Sequence, residues 1–133
     1  MNDSRLILVV DDEIPVREFV CRYLSWKGFR IVEAADGNDA LEMVQNSPVD
    51  LVLSDLCMPG MDGISLIRAL KPLYPELKVV VMSGYIAGEE TIEELQGMGV
   101  LEVLEKPFLP EELLAAVQSA LEVIDTNSKE VLL

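Results

Sequence analysis

Three aspartates, a serine and a lysine carry the chemistry that this sequence can offer: Asp11, Asp12, Asp55, Ser83 and Lys106. Each stands at the end of an apolar run. Leu6-Ile7-Leu8-Val9-Val10 leads into Asp11-Asp12, Leu51-Val52-Leu53-Ser54 into Asp55, Val79-Val80-Val81-Met82 into Ser83, and Val100 to Leu104 into Glu105 and Lys106-Pro107. Three carboxylates brought together would repel one another and raise at least one pKa unless a cation sits among them. Hard oxygen donors favour Mg²⁺ (or Mn²⁺), which uses one or two protein carboxylates and completes its shell with water and phosphate. Lys106 supplies a compact positive charge and Ser83 a neutral hydroxyl, both suited to the oxygens of a transferring phosphoryl group. One carboxylate is then left as nucleophile. Asp55 is the best placed, because it stands alone and is followed by the exposing turn Leu56-Cys57-Met58-Pro59-Gly60, whereas Asp11-Asp12 is better arranged as a metal shelf. The product would be an aspartyl phosphate, whose added charge is a lever for a switch.

These residues span nearly a hundred positions, so the fold must gather them. Continuous apolar runs read as strands buried on both faces, which means a parallel sheet covered by helices. In such a sheet the C-terminal strand ends share one edge, where open α/β folds bind ligands. Between the runs lie stretches of helical period. Pro15 marks a first helical residue, and Val16, Phe19, Val20, Tyr23 and Leu24 repeat at three-four spacing before Gly28. Arg30 to Ala34 is a short second strand. Asn38 to Gln45 carries Ala40, Leu41 and Val44, and Ile64, Leu66, Ile67 and Leu70 mark a helix closed by Pro72 and Pro75. Glu89 to Met98 is a weaker helix. Pro110-Glu111-Glu112 opens a last one, with acids in the first turn to suit the helix dipole and Leu113, Leu114, Val117, Ala120, Leu121 and Ile124 as its buried stripe. The pattern is (βα)5, a doubly wound parallel five-stranded sheet with right-handed crossovers. The most polar strands are the second (Arg30, Glu33) and fifth (Glu102, Glu105), which belong at the edges and give the order 2-1-3-4-5.

Composition narrows the function. At 133 residues the chain is expected to form one domain over residues 1–124, with 125–133 as a short polar tail. No run approaches the about 20 apolar residues of a membrane span, and the polar start shows no secretory signal. Two cysteines, Cys21 and Cys57, are too few for a disulfide framework, and the lack of histidine removes a Cys/His zinc site, so a reduced, cytoplasmic protein is the expectation. A formal net charge of −14 argues against direct contact with nucleic acid.

Four segments in order, each at a strand end, carry a resemblance: Val10-Asp11-Asp12-Glu13, Asp55-Leu56-Cys57-Met58-Pro59-Gly60-Met61-Asp62-Gly63, Met82-Ser83-Gly84-Tyr85 and Lys106-Pro107-Phe108. Over residues 5–124 the chain resembles a receiver domain of two-component response regulators, CheY-like and acting without its own output domain. The resemblance implies that Asp55 takes phosphate from a phosphohistidine on a histidine kinase or histidine phosphotransfer protein. It implies that Asp12, Asp55 and the main-chain carbonyl of Cys57 ligate Mg²⁺, that Asp11 binds it through water, and that Ser83 and Lys106 hold the phosphoryl oxygens. It also implies a cis peptide between Lys106 and Pro107, output through the face of helix four, strand five and helix five, and a phosphorylation-dependent dimer as one form of that output. Such a protein is a switch rather than a metabolic enzyme. Many receivers carry Tyr or Phe where this chain has Val103, and a branched aliphatic cannot make the inward ring swing. Signal output is therefore expected from the loop Gly84 to Gly88, with Tyr85 covering the site.

Blander readings apply to single residues. Asp12 or Glu13 could simply cap the first helix, and Asp62 should cap the helix that begins near Gly63. Cys57 should tune water access, while Cys21 and Trp26 should pack in the core. Other classes compete less well. A phosphatase of the haloacid-dehalogenase kind resembles Asp-x-Asp, and Cys57 stands where its general acid would be. A flavin or nucleotide binder needs a first turn rich in Gly, Ser or Thr, and Asp11-Asp12-Glu13 would repel phosphate there. A degenerate, phosphate-independent binding module remains the alternative within the same fold.

Overall fold

The computed structural model describes residues 4–58, 60–84 and 89–123. Strands and helices alternate along the chain: β1 (Leu6–Val10), α1 (Ile14–Trp26), β2 (Arg30–Ala34), α2 (Gly37–Asn46), β3 (Leu51–Asp55), α3 (Gly63–Leu70), β4 (Lys78–Ser83), α4 (Glu89–Gly97), β5 (Val100–Glu105) and α5 (Pro110–Leu121). All five strands are parallel, in the order β2-β1-β3-β4-β5. The expected architecture and strand order are both present.

The apolar runs behave as continuous apolar strands must. Successive side chains alternate between faces, so Ile7 and Val9 join one core and Leu8 and Val10 the other. The first core also takes Leu51, Leu53, Val80 and Met82 beneath α1 and α5. The second takes Val52, Val79 and Val81 beneath α2, α3 and α4. Every residue of β1 and β3 is buried. β5 departs from the other runs: Leu101 and Glu105 are exposed, as befits an edge.

Helix starts follow local chemistry. Pro15 and Pro110 sit in the first two positions of α1 and α5, where a missing N–H costs nothing. Asp62 caps α3 by accepting the Ser65 amide, as expected, and Asp36 caps α2 through Asp39. On α5, Ala116 joins the buried stripe, Leu114 is half-buried and Ile124 lies outside the described residues. On α1 the buried residues are Val20, Cys21 and Leu24, so Phe19 falls on the flank of the apolar stripe.

Trp26 does not pack in the core. It is 75% exposed, two residues and about half a turn beyond Leu24, with the Lys27 ammonium 4.6 Å from its ring centroid. Cys21 is buried as expected, and burial first, then the charge of Glu33 against that of Arg17, pushes its thiol up to about 11. Among the described residues no helix is long and apolar enough to cross a membrane.

Candidate functional site

Asp55 is the last residue of β3 and Ser83 the last of β4, while Asp11 and Lys106 directly follow β1 and β5. The tips are knitted together one step beyond the strands. The Asp11 amide donates to the Ala34 carbonyl at 3.2 Å, Leu56 to Met82 at 3.0 Å and Lys106 to Ser83 at 2.6 Å. Four segments far apart in sequence thus end at one edge. The Lys106–Pro107 peptide is cis.

Side chains converge there. Oxygens of Asp11, Asp12 and Asp55 all lie within 4.8 Å of one another, with Asp11 and Asp55 buried and Asp12 exposed. Lys106 Nζ donates to Asp11 Oδ2 at 2.7 Å, to Glu13 Oε1 at 3.1 Å and to Asp55 Oδ2 at 3.3 Å. The other Asp11 oxygen accepts the Glu13 amide at 2.9 Å, and Asp55 Oδ1 accepts the Cys57 amide at 3.3 Å.

Burial and neighbouring charges together explain the titration. Burial pushes the Asp55 carboxyl above its ordinary value; Lys106 opposes this, the Asp11 charge adds to it, and the Cys57 amide opposes it again. For Lys106 burial favours loss of the proton. The hydrogen bond and charge of Asp11, with Glu13 and Asp55, outweigh it and raise the ammonium's pKa. Four carboxylates against one ammonium leave a deficit of positive charge, and oxygen donors clustered this closely are a set that a small hard dication fits.

The turn after β3 is shaped by glycine. A Cβ on Gly63 would strike the Asp55 carbonyl oxygen and approach Leu56 Cα to 2.9 Å, so the start of α3 rests directly on the end of β3. The Gly63 amide also donates to the Leu56 carbonyl at 2.9 Å. Gly60 takes φ +77°, a conformation that disfavours side chains. Cys57 is exposed beside Asp55, and neither cysteine is in a disulfide.

Two residues of this edge had no part in the site as read from sequence. Glu13 occupies the N-cap of α1 but makes no side-chain cap bond; its carboxylate goes to Lys106 instead. Neither it nor Asp12 caps that helix in the ordinary way. Arg17 donates from Nη1 to the Asp11 carbonyl at 2.7 Å and from Nε to Glu33 Oε1 at 2.8 Å, clipping the tip of β1 to α1 and β2. One turn after the acidic pair, a basic residue was the available signal. Val103 is half-buried against the core beneath α2, α3 and α4. Gly84 is exposed, whereas Tyr85 and the rest of the loop to Gly88 lie outside the described residues.

Comparison with known proteins places this arrangement. The response regulator receiver domain matches residues 7–118. The chain is 36% identical over 118 residues to the response regulator GtcR of Aneurinibacillus migulanus, a match covering 89% of this chain and 48% of that protein. It is 35% identical over 122 residues to sporulation initiation phosphotransferase F of Bacillus subtilis, covering 91% and 95% respectively. Among solved structures, the receiver domain of NtrX from Brucella abortus superposes with a TM-score of 0.83 at 35% identity, covering 89% of this chain and 99% of that one. The chain spans about half the length of several curated relatives, GtcR among them. With the family's motif and fold both present, this chain belongs to the response regulator receiver domain family, a class of signalling modules in two-component systems.

Proposed function

We propose that Asp55 accepts a phosphoryl group from a phosphohistidine on a histidine kinase or histidine phosphotransfer protein, and that the phosphorylated state switches the protein's contacts with others. The observation that carries this reading is the Lys106 ammonium held between Asp11 and Asp55 inside a carboxylate cluster of metal-binding dimensions. The domain is read as residues 1–124, with 125–133 as a tail.

Roles follow from surroundings. Asp55 Oδ attacks phosphorus, the donor's P–N bond breaks, and the electron pair leaves with the imidazole nitrogen. Lys106 turns N–H groups toward the phosphoryl oxygens and Ser83 offers its hydroxyl at the end of the adjacent strand. Asp12, Asp55 and the main-chain carbonyl of Cys57 would hold Mg²⁺ (or Mn²⁺), whose charge offsets the carboxylates and the incoming phosphate. Both oxygens of Asp11 are already engaged, which suits contact with the ion through water. Output is carried by the face of α4, β5 and α5, toward a downstream protein or a second copy. Nucleic acid is not expected to be bound directly, given the net charge of −14.

The test is intact mass after incubation with acetyl phosphate and Mg²⁺, beside an Asp55→Ala control. One added phosphoryl group, absent in the control and without Mg²⁺, supports the reading. No adduct, with rapid phosphate release excluded, overturns it in favour of a phosphate-independent binding module.

A further inference from the structure

We propose that Glu13 selects among phosphodonors by the charge of their leaving group, an inference that rests on Asp55 being the acceptor. An ammonium has three N–H donors, and those of Lys106 are spread over Asp11, Glu13 and Asp55. To bind phosphoryl oxygens, Lys106 must give up one of these contacts. Releasing Asp11 would strand a carboxylate that is 0% exposed, a costly step. The Glu13 side chain is 58% exposed, so water replaces the lysine there at little cost. Asp55 is itself the group that takes the phosphoryl, so of the two partners that remain free carboxylates Glu13 is the one that Lys106 exchanges.

Its position gives that exchange a consequence. Glu13 lines a concavity of about 540 Å³ with Pro15, Phe19, Gly84, Lys106 and Phe108. In phosphoryl transfer the nucleophile and leaving group lie in line on opposite sides of phosphorus. Lys106 touches Asp55 and also lines this concavity, so in the proposed reaction a group leaving away from Asp55 departs through it, past a carboxylate that Lys106 has just released. The Glu13 side chain also forgoes capping α1, although it stands at the N-cap.

Two donor classes meet this carboxylate differently. With an acyl phosphate the P–O bond breaks, and a carboxylate anion leaves with the electron pair. With a phosphoimidazole protonated on its distal nitrogen the P–N bond breaks, the pair goes to the proximal nitrogen, and a neutral imidazole leaves. Negative charge that builds on a leaving carboxylate beside Glu13 is disfavoured in the transition state, whereas a cationic ring arriving there is attracted. The residue thus favours a phosphohistidine-like donor over small acyl phosphates.

The test compares labelling rates from acetyl phosphate and monophosphoimidazole, at equal Mg²⁺, in the parent chain, Glu13→Gln and Glu13→Asp. Glu13→Gln is expected to raise the acetyl phosphate to phosphoimidazole rate ratio roughly threefold, as for one partly screened charge, and Glu13→Asp to restore it. A merely structural role would move both rates together, and an unchanged ratio overturns the assignment. A second readout needs neither donor nor metal: the ¹⁵N NMR signal of the Lys106 ammonium should shift in Glu13→Gln, and an unmoved signal counts against the contact. Failure of both donors to label the parent chain sinks the Asp55 reading, and this inference with it.

Discussion

Asp55 combines burial with a demand for charge. Its carboxyl is buried at a strand end, and burial more than any neighbour holds its pKa above the ordinary value. The folded protein therefore keeps this proton to a higher pH than the unfolded chain does. As pH rises from the ordinary carboxylate value through the raised one, the unfolded state releases its proton first and folding loses stability. Asp55→Asn removes that penalty. In metal-free buffer the variant should melt at a higher temperature than the parent at pH 7, with the difference shrinking as pH falls into the ordinary carboxylate range. Thermal melts across that range check it, and a variant that is less stable at every pH would contradict the electrostatic account. The sequence exposed Asp11, Asp12, Asp55, Ser83 and Lys106 because each is a polar residue that ends an apolar run. It did not mark Glu13 or Arg17, because a long side chain reaches its partner only after the fold has set the distance. From sequence, Glu13 read as a possible cap of the first helix; the structure brings Lys106 within its reach instead.

At the scale of elements, the site depends on a strand and a helix that nearly touch. The N-terminus of α3 lies against the end of β3 with room only for hydrogen at Gly63. Gly63→Ala must push α3 away or displace the Asp55 carbonyl. A loss of about 1–3 kcal/mol is expected from such overpacking, together with slower phosphorylation. Urea unfolding and the mass assay check the two effects, and an unperturbed variant would show that the close approach is slack. Strand identity and order were readable because burial on both faces writes continuous apolar runs, whereas edge strands admit Arg30, Glu33, Glu102 and Glu105. Helix caps at Asp62 and prolines at α1 and α5 were readable for the same local reason. Helix phase was less so. An apolar residue such as Trp26 reads as core until the stripe is fixed on Val20 and Leu24, which turns Trp26 toward solvent.

For the molecule as a whole, the net charge of −14 and the carboxylate cluster make stability responsive to divalent cations. An ion that binds only the folded state stabilises it by mass action, by about 2.7 kcal/mol at a hundred times its dissociation constant. The melting temperature should rise with added Mg²⁺ in the parent and stay nearly flat in Asp12→Asn, whose exposed side chain can be changed without disturbing the core. Calorimetry checks this, and an equal rise in both would assign the effect to general screening. The position of Trp26 has an optical consequence. It is the chain's single tryptophan and ends the 13-residue α1, about 18 Å along the axis from the helix end beside Asp11. Intrinsic fluorescence therefore watches the wrong pole of the protein and should stay dark to events at Asp55 unless α1 relays them. Cys57, exposed next to Asp55 while Cys21 stays protonated in the core, offers the dye attachment point from which the site itself can be seen.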